Sequence, residues 1–567
     1  MEVIREDILI LGGGLAGLRS AIAAVESNLR VTVGLVSKVY PLRSHSVAAE
    51  GGTSVVLDPK DSYDLHSFDT IKGSDYLADQ DAVEDFVKLI PEQIYTTDHW
   101  GCPWSRTDEG KIAQRDFGGL SFPRAVFAAD ETGFHVMQTL YGRCMKYDRI
   151  HFYNEFFATS MITDGNKFNA LTTIDLRTGE FTIFQGKSLI LAAGGAGRIY
   201  RFSTCAHSTT GDGSAIAYRA GLPLKDMEFV QFHPTGLVPS GILITEAARS
   251  EGGYLLNSEG KRFMEKYAPT KMERAPRDIV SRAMMWEMEA GRAVTGKYNG
   301  IQYIHLDLRH IADKLEERLP MITDIARKFN NIDASQEPIP VRPATHYTMG
   351  GVSVNTQTET GFPGIFGAGE NVAVSIHGAN RLGSNSTNEC LAYGNVAGTN
   401  AAKWASSNST PDLDHKLVLE EEKRIWEDLL NRNGGENVAS IRADLGTSMD
   451  KNAGVFRTGE SLENQVRIIA RLKERYRNIT IEDKSRVFNT DLQWAMEVGF
   501  MLDLAELIAM GGLMRRESRG AHYRKDFPNR DDVNFLKHTI ATYSADGPRF
   551  DYIPVVITKW QPAARVY

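Results

Sequence analysis

Two textures of apolar spacing divide this chain. Near the start, Ile8-Leu9-Ile10-Leu11 is an unbroken apolar run between Asp7 and Gly12-Gly13-Gly14, as expected of a strand buried on both faces and ended by a turn. A helix is predicted near 15–27 and a second strand over 30–36. The pattern returns at Ser188-Leu189-Ile190-Leu191, which runs into Ala192-Ala193-Gly194-Gly195-Ala196-Gly197, and again at Gly364-Ile365-Phe366-Gly367-Ala368-Gly369-Glu370. Such separated pieces of one α/β unit predict a discontinuous domain with an insertion between about 235 and 345. From about 412 the spacing changes to every third and fourth residue, in stretches such as 415–432, 460–477 and 489–511, which predicts a helical domain. The tail beyond about 515 is rich in Arg, Asp and aromatic residues and ends in short apolar runs.

A length of 567 residues exceeds one hydrophobic core and predicts several domains. With 42% hydrophobic and 24% charged residues the composition is that of an ordinary globular protein, and a net charge of -8 argues against a nucleic-acid partner. Cys102, Cys144, Cys205 and Cys390 lie far apart with no C-x-x-C pair, so neither a zinc site nor an iron–sulfur cluster is expected, and no metal is assigned. Acidic residues surround the first strand where a targeting peptide would be basic, and no apolar run approaches the ~20 residues of a membrane span.

The segment Gly12-Gly13-Gly14-Leu15-Ala16-Gly17 satisfies G-x-G-x-x-G between a strand and a helix. Glycines there permit the tight turn and close approach to a pyrophosphate, while the helix N-terminus offers free N–H groups. The acidic residue expected at the end of the second strand is replaced by Ser37-Lys38, which leaves NAD and FAD both open.

The stretch that follows, Ser37-Lys38-Val39-Tyr40-Pro41-Leu42-Arg43-Ser44-His45-Ser46-Val47-Ala48-Ala49-Glu50-Gly51-Gly52, resembles the flavin-attachment segment of the succinate dehydrogenase/fumarate reductase flavoproteins. The resemblance runs on through Phe117-Gly118-Gly119, Thr210-Gly211-Asp212-Gly213 and Gln231-Phe232-His233-Pro234-Thr235-Gly236. It continues in Thr245-Glu246-Ala247-Ala248-Arg249, Pro276-Arg277-Asp278, His346-Tyr347-Thr348-Met349-Gly350-Gly351 and His377-Gly378-Ala379-Asn380-Arg381-Leu382-Gly383-Ser384. It implies FAD held covalently through an 8α-histidyl bond at His45. Cofactor contacts are implied at Gly12 to Gly17, Ser37, Lys38, Ser44, Ser46, Ala49, Gly51, Gly52, Asp212, Glu370, Ser386 and Thr387. The histidyl bond would raise the flavin potential.

The same resemblance implies a dicarboxylate site, with His233 and Thr245 on one carboxylate and His346 and Arg381 on the other. Arginine suits that task because its planar fork can grip a carboxylate in two places. By resemblance Arg277 transfers the proton, with Glu246 and Arg249 as relay, although a guanidinium normally keeps its proton. Departures occur at Ser250 and along Ser384–Cys390, and bear on subtype more than on activity.

The expected fold is α/β: a discontinuous FAD-binding Rossmann-like domain (1–232 and 347–405), an inserted capping domain (233–346), a helical domain (406–514) and a small C-terminal domain (515–567). The run from Ser518 to Asp532 resembles members that work beside an iron–sulfur subunit, so that partner is implied, with membrane-anchor subunits beyond it. The expected place is the cytoplasmic side of a prokaryotic membrane, bound peripherally. The expected activity is succinate oxidation with electrons passed on to quinone. Alternatives are fumarate reduction, a soluble L-aspartate oxidase, which His45 and the 518–532 run argue against, or a silent flavin scaffold, which the intact polar set argues against.

Overall fold

In the computed structural model, which describes residues 2–566, the run Ile8–Leu11 is the central strand of a five-stranded parallel sheet. The order across it is Ile365–Gly367, Ser188–Leu191, Ile8–Leu11, Val33–Ser37 and Ile150–Asn154. Both faces of the central strand are covered, which explains its unbroken apolar run. Helix Leu15–Ser27 packs on helix Asn385–Ser407 at backbone distance: a Cβ at Gly398 would lie 2.1 Å from Ser20 O, and one at Gly394 would lie 2.9 Å from Ala16 O. Beside this sheet lies another of four strands, in which Glu2–Arg5 pairs with Glu180–Gln185.

The insertion leaves along Val230–Leu237 and returns along Ile339–Thr348, and the two strands pair antiparallel with His233 opposite Ala344. The expected borders at 232/233 and 346/347 therefore fall inside continuous strands. Strands Ile304–Asp307 and Tyr254–Leu256 complete this sheet, and the insertion has its own apolar core around Leu255, Met284, Ile304 and Ile322. Helix Arg277–Glu289 leans on the C-terminal part of the chain: Arg282 Nη1 donates to Gly520 O at 2.7 Å and Asp278 meets Arg565 at 2.9 Å.

The helical region holds His415–Lys423, Val438–Asn452, Gly459–Arg477 and Thr490–Met514. Their starts are chemically marked: Asn437 caps Ser440 N, Thr458 and Ser461 form a capping box, and Asn489 caps Leu492 N. Thr490–Met514 is buried on nearly every side, which is why its apolar residues exceed one stripe. The final hairpin, Lys537–Thr542 with Arg549–Pro554, pairs with Leu224–Lys225 in a five-stranded mixed sheet. The molecule thus has an α/β architecture in which a two-piece Rossmann-like domain carries a capping insertion, followed by helical and C-terminal regions.

One buried ion triad holds that hairpin. His538 Nδ1 lies 2.6 Å from Asp226 and Nε2 lies 3.1 Å from Asp79. Burial alone would depress His538, but the Asp226 charge and the hydrogen bonds to Asp226 and Asp79 outweigh it and raise its pKa to about 9. A folded pKa above the unfolded ~6.5 gives stability that is fully present below pH ~6.5 and lost as pH rises through 9, on the order of 3 kcal/mol. The Tm deficit of His538→Gln relative to the parent is therefore expected to be largest near pH 6 and to shrink towards pH 10; a deficit independent of pH would contradict this role.

Candidate functional site

The Gly-rich turns at the C-terminal ends of adjacent parallel strands open into one deep cleft. Gly12 has φ of +116°, and a Cβ there would lie 2.2 Å from Ala192 O, so the two turns touch as backbone on backbone. Gly14 is the N-cap of Leu15–Ser27, and Leu15 N donates to Ser46 Oγ at 3.2 Å, joining the fingerprint to the His45 segment. A Cβ at Gly195 would strike Glu370 Oε1 at 2.2 Å.

Of the cofactor residues expected from the sequence, Gly12 to Ala16, Ser37, Lys38, Ser44, His45, Ser46, Ala49, Gly51, Gly52, Asp212, Glu370, Ser386 and Thr387 line this cleft. Gly17 does not; a Cβ there would lie 1.9 Å from Gly12 O, so it serves the turn's close packing. Lys38 lines the cleft but spends its charge on the protein, with Nζ 2.5 Å from Asp212 and 2.9 Å from Glu497. His45 Nδ1 accepts the Ala206 N–H at 3.3 Å, which makes Nε2 the protonated nitrogen of the neutral ring. Burial and the nearby Arg198 push the His45 pKa down to about 4, so the ring is neutral at physiological pH.

At the capping-domain end of the cleft the expected substrate residues converge. His233 and His346 sit on the paired long strands with ring centroids 5.0 Å apart, and Thr245, Glu246, Arg277 and Arg381 complete the lining. Arg277 Nε donates to Glu246 Oε2 at 2.8 Å and Arg277 Nη1 to Gln231 Oε1 at 3.0 Å. Gln231 in turn donates to Arg381 O at 2.7 Å, linking the two arginines through one neutral amide. Arg249 lies behind the cleft wall, fully buried, with Nη2 3.8 Å from Glu246 Oε2. Arg381 Nη1 donates to Ser386 Oγ at 3.1 Å, and its guanidinium lies 4.5 Å from the Tyr347 ring centroid.

The electrostatics of this corner are set by buried arginines. Burial and neighbouring arginines push His233 and His346 well below the usual histidine range, so both are neutral. Arg381 is pushed down to about 9 by burial and by Arg277. Among the described residues, His233 Nε2, Arg381 Nε, and Arg249 Nε and Nη2 have no hydrogen-bond partner although they are buried. Buried donors without acceptors are costly, and two of these, His233 Nε2 and Arg381 Nε, belong to residues that line the cleft, where a ligand could bring acceptors. Among the described residues no cluster of His, Cys, Asp and Glu is arranged to hold a metal.

Several lining residues were not singled out from sequence as site residues: Glu50, Phe117, Ala192 to Gly195, Thr209, Tyr347 and Cys390. Gln231, just behind the wall, belongs with them. The second Gly-rich turn had a legible pattern; Glu50 and Gln231 had none beyond adjacency to His45 and His233. Burial and Asp130 hold the Glu50 carboxyl well above the usual range.

The cradle of bare backbone and the helix N-terminus at Gly14 fit a dinucleotide such as FAD. The family model for an FAD binding domain matches residues 7–387, and that for the fumarate reductase flavoprotein C-terminus matches 442–567. The chain is 46% identical to the fumarate reductase flavoprotein subunit of Mycobacterium tuberculosis, with 99% of each chain covered. It is 40% identical to the succinate dehydrogenase flavoprotein subunit of Rickettsia felis, covering 99% of this chain and 98% of that one. A solved structure of Escherichia coli quinol fumarate reductase superposes with a TM-score of 0.97 at 42% identity, covering 100% of this chain and 99% of that one. With a Gly-lined FAD cleft that ends in an arginine-rich corner, the chain belongs to the succinate dehydrogenase/fumarate reductase flavoprotein family.

Proposed function

We propose that this chain is the catalytic flavoprotein subunit of a fumarate reductase, adding a hydride and a proton across the double bond of fumarate and, in reverse, oxidising succinate. The observation that carries the reading is the Arg277–Glu246 pair facing His233, His346 and Arg381 in the same cleft as the FAD cradle. Sequence reading leans to succinate oxidation. The 46% relative named for fumarate reductase, against the 40% relative named for succinate dehydrogenase, supports reduction instead.

Bound FAD supplies the two-electron chemistry, donating or accepting the hydride. The protein's share is placement and the proton. Arg381 and His346 hold one carboxylate, while Thr245 and the Nε2–H of His233 hold the other, which keeps the central bond fixed beneath the cap. Arg277 delivers the proton to the carbon that does not receive hydride. Its Nε is already hydrogen-bonded to Glu246, so a proton can return along Glu246 from Arg249. The Phe117–Gly119 loop closes this corner, and a Cβ at Gly118 would lie 1.8 Å from Glu246 Oε1. Glycine there leaves the relay carboxylate its place.

We infer that His45 would hold FAD covalently through Nε2, the ring nitrogen left over when Nδ1 accepts the Ala206 N–H; the Nε2 proton would have to leave as that bond formed, and the depressed pKa means that no second proton stands in the way. Electrons arrive through an iron–sulfur subunit held by a membrane anchor. This reading rests on the resemblance of the 518–532 run and on the quinol named for the E. coli enzyme. Among the described residues no helix is long and apolar enough to cross a membrane.

Arg277→Ala is expected to lower fumarate turnover by roughly 10³-fold while flavin stays bound; near-parental kcat would remove Arg277 from the mechanism. Gly118→Ala, which displaces only Glu246, should cost at least about tenfold in kcat with flavin content unchanged. In acid-precipitated protein, flavin colour should stay with the pellet and move to the supernatant in His45→Ser. Assayed with a reduced viologen and with an artificial acceptor, fumarate reduction should outrun succinate oxidation; the opposite ratio would restore the dehydrogenase reading.

A further inference from the structure

The two histidines of the substrate corner are oriented by different means. On His233, the backbone N–H and the hydroxyl of Thr235 both approach Nδ1 at 3.2 Å, and the hydroxyl gives its proton to Ile244 O at 2.6 Å, which leaves the backbone N–H as the donor. A backbone amide can only donate, so Nδ1 carries the lone pair and the proton sits on Nε2, the buried atom that has no partner among the described residues. On His346, Nδ1 instead meets the Thr204 hydroxyl at 2.7 Å, a group able to donate or accept. Thr204 lies on the loop before Ala206, the residue whose N–H orients His45.

We propose that Thr204 is a positioning residue that holds His346 in the tautomer protonated at Nε2, so that both imidazoles donate to a dicarboxylate without carrying charge. This deepens the functional reading above and rests on it. The competing acceptor for the Thr204 hydroxyl is Thr345 O at 3.3 Å. That carbonyl already receives Thr204 N at 2.9 Å and Ser203 Oγ at 3.1 Å, which fills both its lone pairs and leaves the hydroxyl proton for Nδ1. The same backbone bond fixes the hydroxyl relative to the His346 strand. The reverse arrangement, with Nδ1–H donating to Thr204, would aim the Nε2 lone pair at a carboxylate. A cationic histidine would not need a tautomer set. His346 is kept neutral by burial beside Arg277 and Arg381, so the partner of Nδ1 decides where its single proton sits.

The test compares Thr204→Val, which keeps the shape and loses the hydroxyl, with Thr204→Ser, which keeps the donor, in flavin-replete protein. Thr204→Val is expected to raise the fumarate KM and the malonate Kd, read from the flavin spectrum, by roughly tenfold. It should also move the acid limb of kcat/KM to higher pH, because the lost bond stabilised the neutral ring. Thr204→Ser should restore both. A valine variant like the parent, a serine variant as impaired as valine, or a raised KM with an unmoved acid limb would each overturn the assignment. Absence of fumarate turnover in the parent would instead sink the functional reading, and malonate binding would then still report on Thr204.

Discussion

Uncompensated positive charge in a buried corner is the constraint around which this molecule is arranged. Arg249, Arg277 and Arg381 gather where Glu246 is the carboxylate in contact with the first two. Each buried guanidinium costs several kcal/mol unless its charge and donors are met. A neutral amide, Gln231, and an aromatic face, Tyr347, soften the corner without cancelling its charge. The charges also come from different parts: Arg249 and Arg277 from the capping insertion, Arg381 from the Rossmann-like domain. Arg277 and Arg381 therefore repel across the boundary between the two parts.

Much of the cofactor cleft was legible in the sequence because glycine-rich turns at strand ends leave letter patterns, as at Gly12–Gly14 and Gly194–Gly195. The discontinuous domain was legible for the same reason. Thr204, Gln231 and Tyr347 were not legible as functional, because they act by orienting a neighbour and any polar residue of the right reach reads alike in one sequence. The strand Glu2–Arg5 was invisible because it exists through pairing with distant Glu180–Gln185, not through its own pattern. Helix Val438–Asn452 was passed over because its apolar stripe is narrow, although the Asn437 cap marks its start.

The Arg- and Asp-rich run near the C-terminus shows why composition misleads. Read alone it looks like a charged surface, yet Arg515, Arg519 and Arg524 are buried almost completely. Arg515 pairs with Glu228 at 2.7 Å and with Glu517 at 3.0 Å, and Arg519 pairs with Glu517 at 2.8 Å. Arg457 donates to Glu228 O, tying the helical region to the strand that leads into the cap. Within Ser518–Asp532 the exposed stretch is Lys525 to Asn529. Whatever face this run offers a partner, its greater mass is internal framework.

The glycine contact between Leu15–Ser27 and Asn385–Ser407 has a consequence for biosynthesis. The helix that opens the cofactor cradle leaves the ribosome well before the helix that braces it, which is completed only at residue 407. The edge strand Ile365–Gly367 arrives almost as late. Until then the cradle helix lacks its covering face, while the insertion, with a core of its own, can fold in between. Contacts of such long sequence separation form slowly. The cofactor cradle is therefore completed late in this chain's synthesis, once the far helix is made.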